Sequence, residues 1–172
     1  DLKSSMLKRT DLLWLLAYPI YQIIGTIRHE GSHALAAVLS GVKIQQFVFL
    51  PSIVNGQFYW GYVNFQSDMS WWVIAAPYFI DLITFIIFFI ICLRAKFAHR
   101  WLWLNLVIIG LVSPLINSAY NYVGGLFRSN DVSDLLNNLP SPLVHVYFII
   151  TLLIYLIGLI SVLRSSIIAA IQ

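Results

Sequence analysis

One short run in this 172-residue chain has the residue types and spacing of a metal site: His29-Glu30-Gly31-Ser32-His33. On an α-helix, residues i and i+4 stand on one face, so both imidazoles reach a single ion. The glutamate beside the first histidine falls next to the coordination position left open, where a carboxylate can take a proton from water that zinc has acidified. Glu30 is the only glutamate in the chain, and the motif takes two of the four histidines. A third protein ligand must come from elsewhere, and three aspartates compete for the role. Asp131 also fits the N-cap of a helix over 132–138. Asp134 fits the first-turn acid of the same helix. Asp81 lies about ten residues, or roughly 15 Å, into an apolar run and also fits an ion pair with Arg28 across a bundle. The alternative for the motif itself is local hydrogen bonding by both histidines, with Glu30 paired to Arg28.

The elements that must hold these residues are membrane helices. Sixty per cent of the residues are hydrophobic and 10 % are charged, against about 25 % charged in a soluble domain; the mean hydropathy is +0.84. Four apolar stretches, 12–38, 71–93, 101–123 and 143–163, reach the roughly 20 residues that a bilayer crossing requires. The expected fold is therefore an all-α membrane protein of four transmembrane helices, forming a single membrane-embedded domain over 1–172. The first stretch is too long for a signal-peptide core and reads as a retained helix, bent at Pro19 and Gly25 and ending at Ser40-Gly41. Residues 42–66 change character. Two runs rich in β-branched and aromatic residues flank Pro51-Ser52 and Asn55-Gly56, which predicts a surface β-hairpin between the first and second spans. The second span opens on Trp71-Trp72, an interfacial belt, and contains Pro77 and Asp81. The third contains Pro114, Asn117 and Asn121. It ends at Gly124-Gly125, where backbone freedom permits a sharp return of the polar segment 128–134 toward the histidines.

Charge and cysteine usage narrow the class further. The single cysteine, Cys92, excludes an internal disulfide, and the net charge of +3 is scattered, with no basic run for nucleic acid. Lys3, Lys8, Arg9, Arg94, Lys96, Arg100 and Arg164 fall on one side of the expected topology, and only Lys43 and Arg128 on the other. The positive-inside rule then puts both termini in the cytoplasm and the His29–His33 run toward the opposite face.

The run His29-Glu30-Gly31-Ser32-His33-Ala34-Leu35-Ala36-Ala37, followed by Gly41 and a β-hairpin, resembles the site-2 protease family of intramembrane zinc metalloproteases. Ala76-Pro77 is similar to the Gly-Pro-containing motif of that family's second core helix. The likeness in topology runs from 12 to about 134, and its specific part is 28–41. It implies zinc held by His29, His33 and an aspartate from a third core element, with Glu30 as catalytic base and membrane-embedded helices as substrates. It also implies a site open to the cytosol, against the Lys/Arg count. The family's Asn-x-x-Pro run leading to Leu-Asp-Gly does not occur here. Pro114 and Asn117 stand in the opposite order, and Ser129-Asn130-Asp131 is similar to the Ser-Asp variant of divergent members. On that likeness Asp131 is the expected third ligand.

The function expected from the sequence is a zinc metalloendopeptidase acting on a membrane protein or peptide within the lipid bilayer. The alternative is a non-catalytic membrane subunit that retains the motif as a structural metal site. Asn117 and Asn121, on one helix face, suit either a substrate backbone or the hydrogen bonds that join membrane helices. His145 reads as an interfacial histidine. The aromatic run 58–62 reads as membrane anchoring, with a strand edge open to β-addition.

Overall fold

The computed structural model describes residues 9–54, 56–66, 69–95, 97 and 99–171; Lys3, Lys8, Asn55 and Lys96, invoked above, lie outside them. A stretch of 3-10 turns, Arg9–Ala17, leads into helix α1, Tyr18–Leu39. Pro19 sits in the first turn of α1, where its missing N–H has no helical partner to lose, so it starts the helix instead of bending it. The helix stops at Ser40, whose N–H bonds the carbonyls of Ala36 and Ala37. Gly41 follows with φ +74°, the left-handed geometry expected at a helix end.

The hairpin is a bent ribbon of four short strands: β1 (Ile44–Val48), β2 (Ser52–Val54), β3 (Gln57–Tyr59) and β4 (Tyr62–Phe65). β1 pairs antiparallel with β4, with Phe47 opposite Val63, and β2 pairs with β3, with Ile53 opposite Phe58. The break between the two ladders lets the ribbon fold down on α1. A Cβ at Gly61 would lie 2.5 Å from Thr26 Cγ2 and 2.7 Å from the Val48 carbonyl oxygen, so only glycine permits that approach.

The remaining helices are α2 (Trp71–Arg94), α3 (Arg100–Val107), α4 (Ser113–Gly125), α5 (Asp131–Asn138) and α6 (Ser141–Ile171); one π-turn, Ile108–Val112, joins α3 to α4. Among the described residues, three helical stretches are long and apolar enough to cross a membrane: 71–94, 100–125 and 141–164. The expected fourth span, 12–38, is not one of them. Its first part is 3-10 turn, and α1 carries Arg28, His29, Glu30 and His33 within 22 residues. Those side chains need polar partners, and α1 finds them inside the bundle. The fold is thus mostly helical, with three candidate spans and a small β-ribbon.

Two apolar clusters set the helix positions. In one, Phe85 of α2 and Tyr155 and Val162 of α6 enclose Trp103, Leu104, Val107 and Leu111. In the other, Val132 and Leu135 of α5 insert among Ile74 and Tyr78 of α2 and Val144 and Phe148 of α6. Isoleucines and leucines on the outer faces of α2 and α6, such as Ile83, Ile87, Leu153 and Ile157, stay exposed, which is compatible with a lipid-facing surface.

Candidate metal centre

His29 and His33 lie one turn apart on the buried face of α1, with ring centroids 5.0 Å apart. The third member arrives on α5. Asn130, not Asp131, caps this helix: its Oδ1 accepts from the N–H groups of Val132 (3.0 Å) and Ser133 (3.1 Å), while the Asn130 N–H donates to Ser133 Oγ (2.9 Å). This reciprocal capping box satisfies the helix end and leaves the Asp131 carboxylate available for other contacts. Its Oδ2 stands 2.9 Å from His29 Nε2 and 3.2 Å from His33 Nε2. Burial pushes the Asp131 carboxyl up, but the imidazoles of His33 and His29 outweigh it and hold the group well below the usual carboxylate range. His29, His33 and Asp131 offer ligand atoms all within 4.8 Å of one another, a group that can hold a metal ion.

The return of the chain depends on close packing. Gly124 and Gly125 were expected to supply the backbone freedom for a sharp return, but both belong to α4, and positive φ occurs only at Gly41 and Gly56 among the described glycines. What Gly125 supplies is space: a Cβ there would lie 2.6 Å from Asn130 Oδ1, 2.7 Å from Val132 Cβ and 3.0 Å from the Ser133 nitrogen. With that space, Val132 and Leu135 dock into the apolar cluster and bring Asp131 over α1.

The other two aspartates stand apart from this group. Asp81 is fully buried and pairs through Oδ1 with Arg28 Nε at 2.6 Å, while its Oδ2 accepts from Asn117 Nδ2 at 2.7 Å. Asp134 is partly exposed, and burial together with the neighbouring Asp131 charge raises its carboxyl above the usual range.

Two main-chain carbonyls released from their helices support the site, and neither was legible as functional in the sequence. The Val73 carbonyl would normally accept from the N–H of residue 77, but residue 77 is proline and has none. His33 Nδ1 takes up that free oxygen at 2.8 Å. In the π-turn, the Ser113 N–H bonds to Ile108 instead of Ile109. The released Ile109 carbonyl accepts from Arg28 Nη1 at 3.3 Å, and Ser113 Oγ accepts from Arg28 Nη2 at 3.2 Å. A proline four residues after Val73 was the one available signal. Asn117, expected to serve substrate or helix contacts, lies 3.1 Å from His29 Nδ1.

His29, His33 and Asp131 line a cavity of about 320 Å³ together with Glu30. The ribbon supplies one wall through Phe58, Tyr59, Trp60 and Tyr62, and Asn117 and Asn121 face it from α4. The aromatic run 58–62 therefore borders the site, whatever its relation to lipid. His145 is engaged elsewhere, 3.0 Å from the Tyr122 hydroxyl. No protein-family model matches the chain, and neither a curated protein nor a solved structure matches it.

Proposed function

We propose that the protein is an intramembrane zinc metalloprotease of site-2 protease type, cleaving membrane-embedded or membrane-proximal peptide bonds. The observation that carries this reading is the convergence of His29 Nε2 and His33 Nε2 on one oxygen of Asp131, at 2.9 and 3.2 Å, beside a cavity that Glu30 lines. Two imidazoles and a carboxylate are the donor set of catalytic zinc sites that keep a fourth position open. His33 is further oriented by a carbonyl on its far nitrogen, as ligating histidines generally are. Bound there, zinc would supply Lewis acidity toward a water molecule and the scissile carbonyl.

Glu30 is not part of the three-residue group, so its carboxylate is available to take a proton from the attacking water and deliver it to the leaving amine. The hydroxyl adds to the carbonyl carbon, the C–N bond breaks, and the new amine carries the transferred proton. The ribbon shields one side of the cavity from lipid, and the polar side chains of α4 and α5 admit water. A substrate must present an unwound peptide bond, since a helical one is shielded by its own side chains and hydrogen bonds.

The test compares wild type with Glu30→Gln in lipid vesicles, using a single-span model peptide as substrate and zinc analysis of both proteins. The variant should keep its zinc and lose cleavage by about 10²–10⁴-fold, the usual contribution of a general base. Undiminished cleavage would remove Glu30 from the mechanism. Loss of zinc together with activity would make Glu30 a ligand.

A further inference from the structure

The two histidines differ in what their second ring nitrogens face. His33 Nδ1 meets the Val73 carbonyl at 2.8 Å. A carbonyl only accepts, so Nδ1 carries a proton, and the neutral ring that a metal requires then presents its lone pair at Nε2. His29 Nδ1 instead meets the side-chain amide of Asn117 at 3.1 Å. The orientation of that amide follows from its neighbours. Asp81 Oδ2 lies 2.7 Å from the same amide atom, and a carboxylate paired with arginine is an acceptor at both oxygens. The atom facing Asp81 must therefore be the NH₂ nitrogen. On the other side, Asn121 Nδ2 donates to Asn117 Oδ1 at 3.1 Å, which holds the amide the same way round. One amide hydrogen goes to Asp81 and the other points at His29 Nδ1, which must accept it. The proton of a neutral His29 then resides on Nε2, 2.9 Å from Asp131 Oδ2.

We infer that Arg28, Asp81 and Asn117 are positioning residues that hold His29 in the tautomer opposite to that of His33, making His33 the prepared ligand and His29 the restrained one. This inference rests on the metal-centre reading given above. Asp81 thereby influences the metal without touching it. For Nε2 of His29 to bind zinc, its proton must move to Nδ1, and there it faces a donor. The restraint lowers affinity through one ligand of the three, and His33 is prepared independently of it.

A charge-conserving exchange reverses the direction of the chain. In the double variant Asp81→Asn with Asn117→Asp, the carboxylate at 117 accepts from His29 Nδ1 and from Asn121. The amide at 81 accepts from Arg28 and donates to 117. Every partner stays satisfied while the tautomer preference of His29 inverts. Titration of the full chain with Zn²⁺ against a competing chelator should show the exchange variant binding about tenfold tighter or more, within the 10–100-fold range of such outer partners. A purely structural role predicts equal or weaker binding, and that result overturns the inference. Nitrogen NMR of the histidine rings in chelator-treated wild type reads the tautomers without any variant. The proton should sit on Nε2 of His29 and Nδ1 of His33; finding it on Nδ1 of both overturns the inference even if the exchange variant does not fold. Wild type that binds no Zn²⁺ at all would remove the metal-centre reading, and this inference with it.

Discussion

Asp131 gains its place because a neighbour relieves it of another task. An aspartate at the start of a helix ordinarily caps it, but Asn130 does the capping through Val132 and Ser133, and Asp131 turns to the two imidazoles. Asp134, one turn on, is partly exposed and is not in that group. We therefore expect Asp131→Ala to weaken zinc binding by more than about 100-fold, beyond the loss typical of an outer partner, and Asp134→Ala to leave it within about twofold. Zinc titration of the two variants side by side checks this; equal effects would contradict the assignment. Asp81 belongs to a different balance. Replacing it with alanine leaves the Arg28 guanidinium buried without its counter-charge, which should cost about 3–5 kcal/mol of stability. Denaturant unfolding in detergent measures that cost, and joint replacement of Arg28 and Asp81 by apolar residues should recover much of it.

At the scale of elements, irregularities in the helices carry much of the site. Pro77 gives His33 an unclaimed carbonyl, and the π-turn gives one to Arg28. Pro77→Ala restores an N–H in reach of the Val73 oxygen. The helix gains a bond, while the hold on His33 is shared. We expect the variant to unfold at higher denaturant and to bind zinc more weakly, by up to about tenfold; tighter binding would contradict the assigned role of the carbonyl. Gly125 acts through space. Gly125→Ala forces Asn130 and Val132 to move, at a cost of about 1–3 kcal/mol, and carries Asp131 off the histidines with them. Zinc affinity and stability should fall together there, whereas Pro77→Ala separates them.

Over the whole molecule, three helical stretches are long and apolar enough to cross a membrane, and α1, which is not among them, packs its polar face against two of these. The polar groups of α1 meet partners on α2, α4 and α5, which is how buried ionisable groups are tolerated at membrane depth. The outer faces of α2 and α6 remain apolar and exposed. The protein should stay with the membrane fraction through an alkaline carbonate wash and leave it only with detergent. Release by the wash alone would contradict the membrane assignment.

The apolar runs long enough to cross a membrane and the placing of His29 and His33 on one helix face were decided by the sequence, because run length and helical periodicity are local properties. The ribbon between α1 and α2 was visible for the same reason: turn chemistry and strand propensity act over a few residues. Its break into two ladders was not visible, nor was the close approach of Gly61 to Thr26, which lie far apart in the chain. The number of spans was overcounted because a hydrophobic tally of 12–38 does not register what four polar side chains require once packed. Among three aspartates, residue type and spacing left the choice open. Only the docking of Val132 and Leu135, a hundred residues along the chain from the histidines, brought Asp131 to them. The released carbonyls of Val73 and Ile109 and the amide bridge of Asn117 likewise exist only in three dimensions. They are main-chain and long-range contacts, and Pro77 is the one trace in the sequence that any of them leaves.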